Sequence, residues 1–292
     1  MTKLLFAVTS YFHDLQRGCH QAIRNGGWGQ DVAAIGADLR FFIPYMYAPE
    51  GSSVPFMCTP EGSFGGHYYD FIPLANPYQG EHYPGENSIS YYPGKSFATA
   101  CIRPAYAASL MAHPTEIFLD AESRYNHISI LVQRILRWSL CEGYDFTYVV
   151  ANDTFVVPRL VFSPGYELFD YSGVSDQPEL PFGQTVDWYW YKEKIPNLYG
   201  WFGGGTGIMF SRKAARLIVV ENLRRHWISK YDFWGFGYDS LFGQILGPHI
   251  KSGSIRARNY EGASWHYQHS EGEQRYVGVC EWQREMQEKQ NQ

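Results

Sequence analysis

Asp153 follows, after Ala151 and Asn152, the compact β-branched and aromatic run from Phe146 to Val150. Such a run is typical of a strand buried on both faces of a sheet. A carboxylate at the C-terminal end of this kind of strand lies where open α/β sheets bind ligands. Because Mg²⁺ and Mn²⁺ take oxygen ligands and can bridge phosphates, Asp153 is a candidate metal ligand. The alternative is that Asp153 forms an Asx-turn or a helix N-cap that closes the strand.

Asp239 and two histidines are further candidates for chemistry. Asp239 follows the aromatic and glycine-rich run 233–238 and opens a helix-compatible segment. In an aromatic cleft, desolvation would raise the pKa of this carboxyl group toward a value useful for a general base. Alternatively, Asp239 is a helix N-cap. His266 and His269 could complete the coordination shell of a metal held by a carboxylate, although a lone histidine is more often structural.

The segments around these residues predict a Rossmann-like α/β fold. Lys3 to Thr9 and Leu39 to Ile43 have the composition of strands, and residues 12–24 between them are compatible with a helix. This order is a βαβ opening. Arg17 in that helix could reach a phosphate or a base, or could be an ordinary solvated residue. Glu116 to Asp120 predicts a further strand.

Later segments extend the same α/β pattern. Apolar residues at i, i+3, i+4, i+7 and i+8 predict a helix that begins near Ile128 and is stopped by Gly143. The glycines 203–205 precede a strand and permit close backbone approach, and Ser211 is placed to cap the next helix. We therefore expect one domain over residues 1–292, with a mainly parallel central sheet and a small antiparallel subsheet that includes Val186 to Tyr191.

Two parts of the chain lack a periodic pattern. Residues 44–104 are rich in Gly, Pro and Tyr, and are interpreted as an ordered insertion because aromatic residues are rare in disordered chains. The residues from Arg284 onward are polar and are expected to form a frayed tail.

The composition narrows the possible partners. The net charge of −5 argues against general binding of polyanions through a basic surface. The chain does contain a local basic cluster, for which the solvated face of a helix is the favoured interpretation: Arg212, Lys213, Arg216, Arg224 and Arg225. The aromatic fraction of 17% suits the stacking of sugar rings or bases. The five scattered cysteines include no CxxC pair and fit a reducing compartment.

Several segments together resemble the fringe-like β-glycosyltransferases of the GT-A fold, glycosyltransferase family 31 and its relatives. Thr9, Arg17 and Trp28 resemble the family's opening strand and helix. Asp120 followed by Tyr125-Asn126 resembles its Asp…Tyr-x-Asn entry. Ala151-Asn152-Asp153-Thr154-Phe155-Val156 resembles the family's metal motif, Asp-Asp-Asp-Thr-Phe-Val. Residues 203–212 resemble its Gly-Gly-Ala-Gly…Ser-Arg segment, and residues 234–239 resemble its Trp-Gly-Trp-Gly-Gly-Glu segment.

The resemblance implies a role for each matching residue. Asp153 with His266 or His269 would bind Mn²⁺ or Mg²⁺, and Asp239 would act as the catalytic base. The nucleotide-sugar donor would contact Thr9, Arg17, Asp120, Asn152, Gly204 and Gly205. The acceptor would contact Trp201, Trp234, Phe236 and Tyr238. The chain departs from the family at Ala151, Asn152 and Tyr238, which stand where acidic residues are expected.

These features predict a metal-dependent inverting glycosyltransferase that uses a nucleotide sugar, by resemblance a UDP-sugar. The acceptor would be a glycan, a protein, a small molecule or a hydroxymethylated base in phage DNA, which requires base flipping. The alternative is a non-catalytic carbohydrate-binding protein on the same fold. No run reaches the roughly 18 apolar residues of a membrane span. Because Golgi relatives carry an N-terminal anchor, we expect a cytoplasmic protein of bacterial origin, or of the host cytoplasm if phage or viral.

Overall fold

The computed structural model describes residues 2–10, 19–45, 113–120, 128–174, 199–225, 238–260, 262–266 and 275–290. Arg17, Trp234, Phe236 and His269 lie outside these ranges, as do Val186 to Tyr191 and nearly all of the predicted insertion. Asp120 and His266 are described by their backbone only.

The described residues form nine strands, seven α-helices and one 3-10 helix, Tyr166–Leu168. The strands are β1 Leu4–Thr9, β2 Asp38–Tyr45, β3 Glu116–Asp120, β4 Phe146–Ala151, β5 Thr154–Val156, β6 Tyr171–Gly173, β7 Ile208–Ser211, β8 Ala257–Asn259 and β9 Ser264–His266. The helices are α1 Cys19–Gly26, α2 Gly29–Ala34, α3 Ile128–Cys141, α4 Pro158–Val161, α5 Arg212–Arg225, α6 Tyr238–Lys251 and α7 Arg275–Gln290.

The strands form a seven-stranded sheet in the order β3-β2-β1-β4-β7-β6-β8 and a two-stranded sheet of β5 and β9. In the large sheet, β1, β2, β3 and β4 run parallel, whereas β7 is antiparallel to both β4 and β6. The pair of β5 and β9 is antiparallel. The predicted α/β class, with a mainly parallel central sheet and a small antiparallel sheet, is confirmed.

Helices cover both faces of the large sheet, which explains why its central strands are apolar throughout. All six residues of β1 are buried. One face packs Leu5, Ala7 and Val149 against α3, α5 and α6. The other face packs Phe6 and Val8 into a cluster that also contains Trp28 of the α1–α2 turn. A parallel strand buried on both faces reads as a continuous hydrophobic run, as β1 and β4 do.

The strand register brings three chain segments to one edge of the sheet. Thr9 pairs with Ala151, so the parallel strands β1 and β4 end side by side. Ile208 at the start of β7 pairs with Val149 near the end of β4. Since β7 runs antiparallel to β4, the glycine-rich segment before β7 must lie beside the turn that follows β4.

The C-terminal segment corrects one prediction from the sequence. Residues from Arg284 onward, expected to be a frayed tail, form the second half of α7, which extends to Gln290. The helix is ordered because Trp282 and Met286 pack against the cluster that contains Phe6, Trp28 and Phe155. Across the described ranges, no helix has the length and apolarity needed to cross a membrane.

Candidate functional site

The candidate site lies at the point in the sheet where the order of strand addition reverses. From β1 the chain adds β2 and β3 on one side, and then returns to add β4 on the other. In open α/β sheets, ligands bind beyond the carboxyl ends of the strands at such a switch point. Here the backbone N–H of Asn152 donates to the carbonyl of Thr9 at 3.2 Å, and Thr9 Oγ1 donates to the carbonyl of Val150 at 3.3 Å. Both contacts tie the ends of β1 and β4 together.

The turn that carries Asp153 is held by side chains from two distant parts of the chain. Gln283 Nε2 of α7 donates to the carbonyls of Asn152, at 3.2 Å, and of Thr154, at 3.0 Å. Trp28 Nε1 donates to the same Thr154 carbonyl at 3.2 Å. Asp153 lies between these two carbonyl groups and is only 3% exposed. The turn is therefore fixed on both sides of the carboxylate.

The glycine-rich segment contacts this turn directly. Thr154 Oγ1 donates to the carbonyl of Gly205 at 2.5 Å. Tyr148 Oη of β4 donates to the carbonyl of Thr206 at 2.8 Å. Gly207 has a φ of +90°, a conformation that favours glycine, and an added Cβ there would overlap the ring of Tyr148. The close approach therefore explains why the chain has glycine at this position.

The same segment is joined on its other side to the start of α6. The N–H of Gly204 donates to Asp239 Oδ2 at 3.1 Å, while Tyr238 Oη donates to the carbonyl of Gly204 at 2.8 Å. Asp239 Oδ1 accepts the N–H of Ser240 at 2.8 Å. One continuous chain of contacts thus leads from the Asp153 turn, through the glycines, to Asp239.

Burial raises the pKa of Asp239 above its ordinary value, against the opposing effect of the backbone N–H groups that its carboxylate accepts. The carboxylate accepts from the backbone N–H groups of Gly204, Ser240 and Asp239 itself, and a carboxylate has about four acceptor positions on its two oxygens. The raised pKa makes Asp239 a stronger base than a solvated aspartate. Because α6 begins at Tyr238, Asp239 lies in its first turn rather than at its N-cap, and the role of Asp239 as a base remains a prediction.

The strand pairing brings one predicted histidine beside Asp153. His266 pairs with Thr154 across β5 and β9. A cation of the Mg²⁺ type commonly keeps several waters and is held by one or two carboxylates together with substrate phosphates. Within the described ranges, no group of three His, Cys, Asp or Glu side chains could hold a metal ion. The buried carboxylate of Asp153, with His266 in the neighbouring register position, is of the donor type that such a cation takes.

Two of the predicted acceptor contacts are described, and they differ in exposure. Tyr238 is 5% exposed and its ring lies under Gly204, which argues against direct contact with an acceptor. Trp201 is half-buried and packs against the cluster that contains Phe242 and Leu246. Gly204 is buried and Gly205 is half-buried, and their predicted contact with the donor remains a prediction.

The basic cluster that begins with Arg212 starts at the end of the sheet opposite to the Asp153 turn. Ser211, the residue before Arg212, pairs with Phe146 at the beginning of β4. Arg212 forms an ion pair with Asp145 at 3.2 Å and donates to the carbonyl of Tyr144 at 3.0 Å. Arg212 therefore contacts residues just before β4, whereas the Asp153 turn lies beyond the other end of the same strand.

A buried polar network near the end of β1 was not predicted from the sequence. Ser10 Oγ lies 2.6 Å from His20 Nε2, His20 Nδ1 lies 3.4 Å from Glu116 Oε1, and Arg24 Nη1 donates to that oxygen at 2.8 Å. The ring of His20 stacks on Phe41 with centroids 4.3 Å apart. Burial lowers the pKa of His20 despite the neighbouring Glu116 carboxylate. The network ties β1, α1 and β3 together beside the carboxyl end of β1.

Comparisons with known proteins give weak likenesses in structure alone. No protein-family model and no curated protein sequence matches the chain. Among solved structures, it is similar to galactosyltransferase LgtC in complex with donor and acceptor sugar analogs, with 12% identity, 96% of each chain covered and a TM-score of 0.44.

It is also similar to a putative nucleotide-diphospho-sugar transferase from Desulfovibrio desulfuricans G20, with 12% identity, coverage of 89% of this chain and 80% of that one, and a TM-score of 0.36. A third similar structure is 4-diphosphocytidyl-2C-methyl-D-erythritol synthase from Anaerococcus prevotii DSM 20548, with 7% identity, 96% of each chain covered and a TM-score of 0.42. Because these TM-scores are below 0.5, the functional argument rests on the residues of this chain.

Proposed function

We propose that this protein is a GT-A-type glycosyltransferase that moves a sugar from a nucleotide sugar, a UDP-sugar, to an acceptor hydroxyl with inversion. The observation that carries the proposal is the continuous contact from the Asp153 turn to Asp239 at the carboxyl edge of the sheet. Thr154 bonds to Gly205, and Gly204 bonds to Asp239. A buried carboxylate for the donor side and a second one for the acceptor side thereby belong to one rigid arrangement.

On the donor side, Asp153 and His266 would hold the cation, with His269 as the other candidate ligand. A bound Mn²⁺ or Mg²⁺ neutralises the charge that develops on the nucleoside diphosphate leaving group. The hydrogen bonds to the carbonyls on either side of Asp153 fix the turn that carries it, and Gly205 lies against this turn through its bond to Thr154. Thr9, Arg17, Asp120 and Asn152 complete the proposed donor site.

On the acceptor side, Asp239 would accept the proton of the acceptor hydroxyl. The oxygen of that hydroxyl forms a bond to the anomeric carbon while the bond from that carbon to the diphosphate oxygen breaks. The backbone N–H groups bonded to Asp239 orient its carboxylate, and its raised pKa increases its affinity for the transferred proton. Trp201, Trp234 and Phe236 are the proposed acceptor contacts, and the acceptor is a glycan, a small molecule or a modified base.

The test is donor turnover in the presence of Mn²⁺. The purified protein is incubated with a panel of nucleotide sugars, and release of nucleoside diphosphate is measured. We expect release from one donor, loss of release without metal and in Asp153→Asn, and a decrease of about 10²-fold to 10⁴-fold in Asp239→Asn. The control is Asp31→Asn, because Asp31 is exposed on α2 and lies outside the proposed site.

Two results would contradict the proposal. The first is no release from any donor together with unchanged thermal unfolding when UDP and Mn²⁺ are added. That result would favour the alternative, a carbohydrate-binding protein without catalysis. The second is equal release by Asp239→Asn and by the Asp31→Asn control, which would remove Asp239 from the mechanism.

A further inference from the structure

Gln283 of the C-terminal helix makes the contacts that fix the Asp153 turn. Its side chain is 1% exposed, although glutamine is mostly a surface residue. Its Nε2 donates to the carbonyls of Asn152 and Thr154, the two neighbours of Asp153. The two carbonyl oxygens can only accept hydrogen bonds, so the Gln283 amide must face them with its nitrogen. This requirement determines the orientation of the amide group.

The helix that carries Gln283 is anchored beside the turn independently of this bond. Trp282 packs edge-on against Phe155 with ring centroids 6.4 Å apart. The helix also contacts α1 and β5. Since the packing of Trp282 holds the helix in place, the amide of Gln283 is free to act on the turn rather than to attach the helix.

We infer that Gln283 is a positioning residue for Asp153: its two hydrogen bonds hold the turn so that the carboxylate keeps the orientation needed for the cation. This inference rests on the proposed function, because it concerns the same metal ligand. Buried partners that orient a metal ligand commonly contribute about 10-fold to 100-fold to metal affinity. A loss of the donor at position 283 should therefore weaken the binding of metal more than it weakens the fold.

The test measures Mn²⁺ binding directly, by the electron paramagnetic resonance signal of free Mn²⁺ in the presence of UDP. Gln283→Met keeps the length of the side chain and removes both donated bonds. The matched control is Gln287→Met on the same helix, one turn further on, since no hydrogen bond joins Gln287 to the described residues of the turn. Thermal unfolding of both variants reports on the fold.

We expect Gln283→Met to raise the dissociation constant for Mn²⁺ by about tenfold or more, whereas Gln287→Met leaves it unchanged. If Gln283→Met does not fold, Gln283→Leu serves in its place, because it also lacks both donated hydrogen bonds. As a graded test, Trp28→Phe removes one of the two donors to Thr154 and should weaken Mn²⁺ binding less than Gln283→Met.

The outcomes separate this inference from the proposed function. Tight Mn²⁺ binding by the unmodified protein with equal binding by Gln283→Met overturns the positioning role and leaves the proposed function standing. Absence of Mn²⁺ binding by the unmodified protein, with or without UDP, contradicts the metal-dependent function and the positioning role together. A tenfold loss confined to the Gln283 variants supports both.

Discussion

Gly204→Ala should be strongly destabilising because the glycine lies against an immobile tyrosine ring. An added Cβ would lie 2.8 Å from Cζ and 2.9 Å from Oη of Tyr238. Carbon atoms in van der Waals contact are about 3.5–4.0 Å apart, so one of the two groups must move. Tyr238 is 5% exposed, its Oη is bonded to the Gly204 carbonyl, and its ring packs edge-on against Phe242.

The expected cost is the sum of several effects. Overpacking of this kind costs about 1–3 kcal/mol. Displacement of Gly204 also weakens its bonds to Tyr238 and Asp239, each of which contributes about 0.5–1.5 kcal/mol. The lower entropy of the unfolded alanine chain offsets about 0.4–1 kcal/mol of this. We therefore expect Gly204→Ala to lower the free energy of unfolding by roughly 1–5 kcal/mol, with a central value of about 3 kcal/mol.

The assay is urea unfolding followed by tryptophan fluorescence, with Gly200→Ala as the matched control. Gly200 is buried in the same segment, and a Cβ there would meet no atom within 4 Å among the described residues. In a double-mutant cycle, Tyr238→Ala should relieve the Gly204→Ala penalty with a coupling energy of about 1–3 kcal/mol. Equal stability of Gly204→Ala and Gly200→Ala, or strictly additive effects in the cycle, would refute the proposed packing.

Three further predictions concern the stability of the fold. Burial lowers the pKa of His20, so the unfolded chain binds its proton more readily; stability should therefore fall as pH decreases below about 6.5, by at most about 1.4 kcal/mol per pH unit. Between pH 8 and pH 5, the free energy of unfolding in urea should decrease less for His20→Gln than for the control His113→Gln. Equal decreases in the two variants would contradict this prediction. Glu116→Gln should cost about 3 kcal/mol because it leaves the charge of Arg24 without its 2.8 Å partner, and a change below about 1 kcal/mol would contradict the buried pair. Ser211→Ala should cost about 1 kcal/mol, measured as a lower Tm, because Ser211 Oγ caps the N–H of Ala214, and an unchanged Tm would contradict the cap.

The central strands could be predicted from the sequence because their burial is uniform. Glu116 to Asp120 has the predicted bounds, and β1 and β4 differ from the prediction by one residue each. The cap at Ser211 before a helix with buried Ala214 and Ile218 is also confirmed. In these segments the local sequence pattern, a strand composition or a helical period, favours the same secondary structure that the tertiary packing requires.

The polar contacts of the candidate site could not be predicted in the same way. Sequence patterns predict that polar residues lie on the protein surface. Gln283 and His20 are polar but buried, and each has a hydrogen-bond partner more than ninety positions away in the sequence. The pairing of β5 with β9 joins strands of three residues each, which are too short for a periodic signal. The burial of Tyr238 follows from its contact with Gly204, which only the folded chain brings about.

The most direct test of the proposed nucleotide-sugar site is a calorimetric titration of the protein with UDP, with and without Mn²⁺. We predict saturable binding of UDP that tightens when Mn²⁺ is present, with this metal-dependent gain lost in Asp153→Asn and retained in Asp31→Asn. Binding of UDP that is unaffected by Mn²⁺ and by Asp153→Asn, or no binding at all, would contradict the assignment of Asp153 and its turn to the donor site.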